Sequence, residues 1–158
     1  MRNHGHEGEE AFSRLGINGK CSELHAAMGL CLLPRVDEII SARRERVDLY
    51  RELLAPTGIV TWDVPDDLEW NFAYMPVVFP SRELMLDVRD DLRAASIFPR
   101  RYFFPSLTVL PYVDADSVPV AESLSERVLC LPLHEALPLE DVARVANVIR
   151  RAFDIAAK

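Results

Sequence analysis

Apolar residues recur at helical spacing over much of the chain. From Arg35 to Leu54 they lie three or four positions apart opposite a charged face, which predicts a long amphipathic helix. Residues 81–96 and 138–158 show the same period and predict two further helices, and residues 117–128 predict a short one. Each of these helices has one apolar stripe, so each is expected to pack against another layer.

The segment from Ser22 to about Leu33 differs from the others because it is apolar on nearly every face. Ser22 is a suitable N-cap for a helix, and Pro34 ends or kinks it. A helix without a polar face is buried in a larger body or in an interface. We therefore expect this helix to belong to a lead-in segment that packs on something else.

Short apolar runs between the helices predict the strands. They lie at residues 59–62, 72–80, 97–102 and 129–134. Residues 103–116 are aromatic and interrupted by prolines, which predicts a loop. The order of these elements favours an α+β fold in which helices cover a small β-sheet.

Composition narrows the classes of function. The chain has 158 residues, 49% of them hydrophobic, which suits one domain with a core or one lobe of a larger protein. Its net charge of -7 argues against a nucleic-acid interface, which needs clustered lysine and arginine. Of the 18 basic residues two are lysines, so 16 are arginines, which bind carboxylates and phosphates but form no imine.

Cysteine usage and hydropathy indicate a compartment. Cys21, Cys31 and Cys130 lie in apolar surroundings and are odd in number, which favours reduced thiols over a disulfide framework. The first ten residues lack the apolar centre of a secretory signal, and no apolar run is long enough to cross a bilayer. We expect a cytoplasmic protein without a membrane partner.

Lys20 is the first candidate for a reactive amine, because the chain's other lysine is its last residue, Lys158. A reactive lysine needs burial or neighbouring cations, and the glycine-rich string "GINGK" indicates neither. The string is also a poor phosphate loop, since the Walker pattern needs a longer spacing between its glycines. We assign no catalytic residue and expect Lys20 to lie in a loop.

The remaining titratable groups predict no site of their own. His4 and His6 alternate in a polar stretch without companion ligands, so no metal site is predicted. No serine, histidine and aspartate occur in a supporting context such as G-x-S-x-G. We interpret Glu122, Glu126 and Arg127 as the solvated face of the short helix.

Several strings in the chain occur together in one family. They are "RNHG", "GINGKCSELHAAMGL" before the long charged helix, "RRYFFPSL", "AESLSERVLCLPLH" and "LEDVARVANVIR". In this order and spacing they resemble the DegT/DnrJ/EryC1/StrS family of sugar aminotransferases over essentially the whole chain. The resemblance implies the fold type I architecture. Residues 1–34 would be a linker and buried helix from the large-domain junction. Residues 35–158 would be the small C-terminal α+β domain, which begins with a long interdomain helix.

The resemblance also implies roles for four residues. The family uses pyridoxal phosphate, and its Schiff-base lysine lies upstream of the position of "RNHG". Asn18 is expected to donate to the cofactor phosphate of the neighbouring subunit, or else merely to form a turn. Lys20 stands where the family has arginine, so it is either a substrate contact or an exposed loop residue. Arg101 and Tyr102 are expected to bind substrate near the nucleotide sugar, or else to be a solvated arginine and a core aromatic.

The implied function is that of a C-terminal part of a pyridoxal-phosphate-dependent nucleotide-sugar aminotransferase. Such an enzyme transfers an amino group from glutamate to a keto-deoxysugar nucleotide, and this part alone is expected to be inactive without the domain that carries the lysine. A non-enzymatic dimerisation or interaction module derived from such an enzyme is the alternative, motivated by the apolar helix at 22–33. A third possibility is an independent small-ligand domain built on residues 72–79 and 98–102. We expect a homo-oligomer, a dimer, with no nucleic-acid partner.

Overall fold

The computed structural model describes residues 19, 21–62, 64–65, 67–106, 108 and 114–156. They belong to two units, residues 1–38 and residues 39–158. Helix α1 (Glu23–Leu32) and a 3-10 turn (Leu33–Arg35) lie in the first unit. Helix α2 (Val36–Leu54) begins there and continues into the second.

The second unit holds the sheet and the remaining helices. In chain order these are β1 (Val60–Thr61), β2 (Met75–Val78), α3 (Arg82–Ala94), α4 (Pro119–Arg127), β3 (Val128–Leu131) and α5 (Leu139–Ala156). The strands lie in the order β1-β2-β3, and both pairings are antiparallel. The predicted α+β fold, with helices on a small sheet, is confirmed for the described residues.

Helix α1 begins where the sequence predicted it. The Ser22 hydroxyl accepts a hydrogen bond from the backbone N–H of His25 at 3.4 Å, which satisfies one of the free N–H groups of the first turn. None of the ten residues of α1, all of which the structure describes, is buried. Leu24 is 83% exposed and Leu30 is 71% exposed. That a larger body or an interface covers this helix stays a prediction.

The core of the second unit lies between one face of the sheet and the helices. Met75 and Val77 on β2 and Leu129 and Leu131 on β3 are buried, because alternate strand residues point to the same face. Each such side chain contributes about 1.5–3 kcal/mol on leaving water. The helices complete this core with Val47, Tyr50, Leu54, Val88, Leu92, Val142 and Ile149.

The predicted strand at 97–102 is wrong. Among the described residues this segment makes a single bridge, in which Arg100 and Cys130 exchange backbone hydrogen bonds of 2.7 and 3.1 Å. Bonded pairs of an antiparallel ladder lie two residues apart, so the next pair would be Phe98 and Pro132, and Pro132 has no N–H to donate. The consequence is a loop whose position is set by one residue on the edge of β3.

Candidate functional site

The outer face of the sheet forms the floor of an apolar groove. Pro76 and Val78 on β2 and Val128 and Cys130 on β3 alternate with the core residues and line this face. The groove has a volume of about 420 Å³, and its remaining walls include aromatic and aliphatic side chains from three loops and α4. These are Trp62, Tyr74, Tyr102, Phe103, Ala121 and Leu124.

A second groove, of about 270 Å³, adjoins the apolar groove. Tyr74, Tyr102 and Cys130 line both, so they form the shared wall. We call the second one the arginine groove, because Arg100 contributes its charged side chain. Burial raises the pKa of the Cys130 thiol, so this residue acts as a neutral part of the shared wall.

Tyr102 is the centre of the shared wall. Its ring meets that of Tyr74 edge-on, with centroids 5.6 Å apart, and stacks on Phe103 at 4.9 Å. Arg100 donates a hydrogen bond to the Tyr102 hydroxyl, and its Cζ lies 5.5 Å from the ring centroid. Because the Arg100 backbone is paired with β3, the aromatic and cationic groups are presented from a fixed position.

Arg101, the other predicted substrate contact of this segment, lies apart from Tyr102. Its guanidinium donates to the backbone carbonyls of Ser125 and Glu126 at 3.4 and 3.2 Å, at the C-terminus of α4. Its Cζ stacks 3.4 Å from the Phe104 ring centroid, and the Glu126 carboxylate lies 3.6 Å from Nη2. Burial lowers the pKa of Arg101 and Glu126 opposes this, yet arginine stays charged. The structure therefore shows Arg101 joining the loop to α4.

Sequence reasoning missed Arg100 although it stands in the same string. Side chains of an extended segment alternate between two sides, so Arg100 and Tyr102 share a side and Arg101 points to the other. This alternation is the signal that would have selected Arg100 as the partner of Tyr102.

Trp62 and Tyr74 were also missed, because they were placed within the predicted strands at 59–62 and 72–80, whereas the structure has each just outside a strand. They are 58% and 52% exposed. Arg51 on α2 donates to the Trp62 backbone carbonyl at 2.6 Å, and its Cζ lies 5.6 Å from the Trp70 ring centroid. This arginine thereby fixes the loop that brings Trp62 to the groove.

Glu122 is more than part of a solvated helix face. Its carboxylate accepts hydrogen bonds from the hydroxyls of Thr108 (2.7 Å) and Ser117 (3.0 Å) and from the backbone N–H of Val118 (3.0 Å). These bonds, that of Thr108 first, hold the pKa of Glu122 below its usual value. The carboxylate thus ties two points of the 106–118 segment to the start of α4.

Asn18 and Lys20 lie outside the described residues. Lys158 does too, so the described part of the chain contains no lysine and hence no side-chain amine to form an imine with pyridoxal phosphate. The described residues therefore contain no side chain that could attach pyridoxal phosphate as an imine. We derive no chemical step on that cofactor from them.

Two other kinds of site are absent from the described ranges. No three or more histidine, cysteine, aspartate or glutamate side chains in them are grouped to hold a metal ion. None of the helices found there is long and apolar enough to cross a bilayer.

Relatives of known name match nearly all of the chain. The Escherichia coli dTDP-4-amino-4,6-dideoxy-D-glucose transaminase is 31% identical over 161 residues, which cover 94% of this chain and 43% of that protein. The Caulobacter vibrioides GDP-perosamine synthase is 31% identical over 140 residues, 85% of this chain and 38% of its own length. The chain therefore spans less than half the length of these curated relatives.

Solved structures of aminotransferases share the fold. The crystal structure of DesI, determined in the presence of its TDP-sugar product, superposes with a TM-score of 0.78 at 31% identity. It is matched over 96% of this chain and 41% of its own. The aminotransferase TlmJ from Streptoalloteichus hindustanus has a TM-score of 0.81 at 23% identity, over 96% of this chain and 42% of its own.

The family assignment rests on the length of the match. The profile of the DegT/DnrJ/EryC1/StrS aminotransferase family matches residues 1–150. That range includes both grooves and every element except the last turns of α5. The chain belongs to the DegT/DnrJ/EryC1/StrS aminotransferase family.

Proposed function

We propose that this chain is the C-terminal part of a nucleotide-sugar aminotransferase that uses pyridoxal phosphate. The intact enzyme transfers an amino group from glutamate to a keto-deoxysugar nucleotide in the cytoplasm. One observation carries the proposal. A transaminase named for a dTDP-aminosugar aligns with 94% of this chain, and the aligned part is 43% of that transaminase. When bound, pyridoxal phosphate supplies the electron sink for amino transfer.

We propose that the chain is organised in two parts. Residues 1–34 are a linker and buried helix at the junction with a large domain, and residues 35–158 are the small C-terminal domain. Helix α2, with its buried residues Val47, Tyr50 and Leu54, is the interdomain helix. The charged face of α2 and its length of 19 residues support this role, because such a helix can span two bodies.

Four residues have proposed roles. Asn18 binds the cofactor phosphate across a dimer, and Lys20, Arg101 and Tyr102 act at the substrate site. The position of Tyr102 between the two grooves supports its role. The guanidinium of Arg101 is occupied by α4, so its contribution is to hold the loop that carries Tyr102.

A fusion protein tests the function. The part of the Escherichia coli transaminase that this chain matches, 43% of its length, is replaced by the 158 residues. We expect the fusion protein to transfer the amino group of dTDP-4-amino-4,6-dideoxy-D-glucose to 2-oxoglutarate, the reverse of the proposed reaction. The 158-residue chain alone is expected to be inactive in the same assay. A folded fusion protein that binds pyridoxal phosphate but transfers no amino group contradicts the proposal.

The exposure of α1 favours a second candidate function, a non-enzymatic interaction module. Four large apolar side chains of this helix, at positions 24, 28, 30 and 32, are between 41% and 83% exposed. Exposed apolar surface of this extent marks a site of association. Under either function we propose that the chain forms a dimer, and sedimentation of a clean monomer over a wide concentration range would contradict this.

A further inference from the structure

The segment that leads into β2 contains a strained residue. Phe72 has a φ of 50°, in the left-handed region that a bulky side chain rarely adopts. The Asn71 side chain accepts a hydrogen bond from the backbone N–H of Ala73 at 3.0 Å, which closes a turn around Phe72. Tyr74, which lines both grooves, follows this turn directly. A residue keeps such a backbone conformation only where its surroundings enforce it, so the contacts of Phe72 need an explanation.

Two arginines of α2 hold this turn. Arg44 and Arg51 are seven positions apart, about two helical turns, so they lie on the same face of α2. The Arg44 Cζ lies 5.8 Å from the Phe72 ring centroid. The Arg51 Cζ lies 5.6 Å from the Trp70 ring centroid, and the two rings pack with their centroids 4.3 Å apart. These cation–π and ring contacts join four residues into one unit, which we call the α2 clamp: Arg44, Arg51, Trp70 and Phe72.

The α2 clamp connects the core to the apolar groove. Trp70 and Phe72 are partly buried and pack against the hydrophobic core. Arg51 also donates to the Trp62 backbone carbonyl at 2.6 Å. Trp62 directly follows β1 and Tyr74 directly precedes β2, and both line the apolar groove. The clamp therefore restrains both ends of the segment that joins these two strands.

We propose that the α2 clamp positions the aromatic wall of the apolar groove and thereby sets the affinity for substrate. Its two arginines are positioning residues, because neither is among the described residues that line the two grooves. They act on the wall through the segment between Trp62 and Tyr74. A wall that is held in place needs no ordering when a ligand binds, which favours binding. The inference rests on the proposed function, since it names residues outside the site that support it.

The KM of the fusion protein tests this role. Arg51→Leu is expected to raise the KM for dTDP-4-amino-4,6-dideoxy-D-glucose about tenfold, because the wall is displaced. It should leave kcat within about twofold, as expected when binding rather than chemistry is weakened. A variant that only folded less well would lose active protein, and hence kcat, at an unchanged KM. Arg150→Leu, at an exposed position of α5, is the matched control and should change neither constant.

Variants of Trp70 test whether Arg51 acts through this ring. Trp70→Phe keeps an aromatic ring beside the guanidinium and is expected to keep the KM within about twofold of the parent value. Trp70→Leu removes the ring and is expected to raise the KM about tenfold. Combined with Arg51→Leu, it should again raise the KM about tenfold rather than about a hundredfold, because residues in contact share one effect.

Tryptophan fluorescence gives a second readout, on the 158-residue chain without substrate. Trp62 and Trp70 are its two tryptophans, so a Trp70→Phe variant leaves Trp62 in the groove wall as the reporter. In this background Arg51→Leu is expected to increase the amplitude of the nanosecond motion of Trp62 in the anisotropy decay. Arg150→Leu should leave that amplitude unchanged.

Three results would overturn the inference. They are an unchanged KM in the Arg51→Leu fusion protein, a double variant whose KM rises by the full product, and an unchanged anisotropy decay of Trp62. If the parent fusion protein is active and Arg51→Leu leaves its KM unchanged, the proposed function stands and the role of the clamp falls. If the parent fusion protein folds and binds pyridoxal phosphate but is inactive, the function is contradicted. The anisotropy decay then decides on the clamp by itself.

Discussion

The two faces of the sheet have similar sequences but different surroundings. On the inner face Val77 and Leu129 are fully buried against α2, α3 and α5. On the outer face Val78 and Val128 are half-buried and line a groove whose walls stay exposed. Residues of one chemical type therefore support stability on one face and leave a site on the other, depending on which helices cover them.

Truncation on the inner face should have the largest effect. Leu129→Ala leaves a cavity among packed neighbours and is expected to lower the free energy of unfolding by about 2–5 kcal/mol. Leu124→Ala is the matched control on the outer groove, where the side chain is 41% exposed. We expect it to cost about 1 kcal/mol or less in urea unfolding. Equal losses for the two variants would contradict the difference between the faces.

Removing Arg101 should have an intermediate effect, because it joins the loop of the outer face to α4. Arg101→Leu keeps apolar contact with Phe104 but loses the hydrogen bonds to the Ser125 and Glu126 carbonyls. The expected loss of unfolding free energy is about 1–3 kcal/mol, measured in urea. Arg100→Leu is the neighbouring control and should unfold like the parent chain, since Arg100 is exposed. If Arg100→Leu lost more unfolding free energy than Arg101→Leu, Arg100 would be the residue that holds the loop.

Changing an exposed wall residue should alter stability little. Phe103→Ser is expected to shift the unfolding free energy by about 0.5 kcal/mol or less, because this side chain is 75% exposed. The Phe79→Ser variant, which changes a fully buried ring of the core, is the contrasting case. If thermal melting showed that Phe103→Ser unfolds as early as Phe79→Ser, the groove wall would belong to the core.

The smallest effect should be a change in pH dependence at Glu122. Its folded pKa is lowered, so the bonds from Thr108, Ser117 and Val118 stabilise the fold above the ordinary glutamate value of 4.5. This contribution is lost as the pH falls through the lowered pKa. Comparing urea midpoints of Glu122→Gln and the parent chain from neutral to acidic pH should show a difference that closes in that range. If the two urea midpoints still differed at the lowest pH, the charge of the Glu122 carboxylate would not be the cause of the difference.

Helices were predicted well because their signal is local. The period of α2, α3 and α5 and the Ser22 cap could be identified from the sequence, and the structure begins and ends these helices within a few residues of the predicted bounds. The strands were located less sharply. The segment at 97–102 has the apolar and aromatic residues of a strand, but a strand needs a continuous partner, and the next bonded position on β3's side is Pro132, which has no N–H.

The candidate site was predicted in part. Tyr102 was selected from its string and lines both grooves, whereas Arg100, Trp62 and Tyr74 were not selected. These four residues come from three loops separated by up to 40 positions along the chain. No local pattern links them, so their convergence could not be predicted from one sequence.

The sequence by itself determined the family, the helices and the α+β class, because motif order and hydrophobic period are properties of neighbouring residues. Tertiary structure decided which of two adjacent arginines faces the groove, which sheet face is covered and which aromatic residues stay exposed. These outcomes depend on contacts between distant segments, such as the pairing of Arg100 with Cys130 and of Arg101 with α4. Whether two distant segments make such a contact depends on how they pack in three dimensions. The order of residues along the chain does not contain that information.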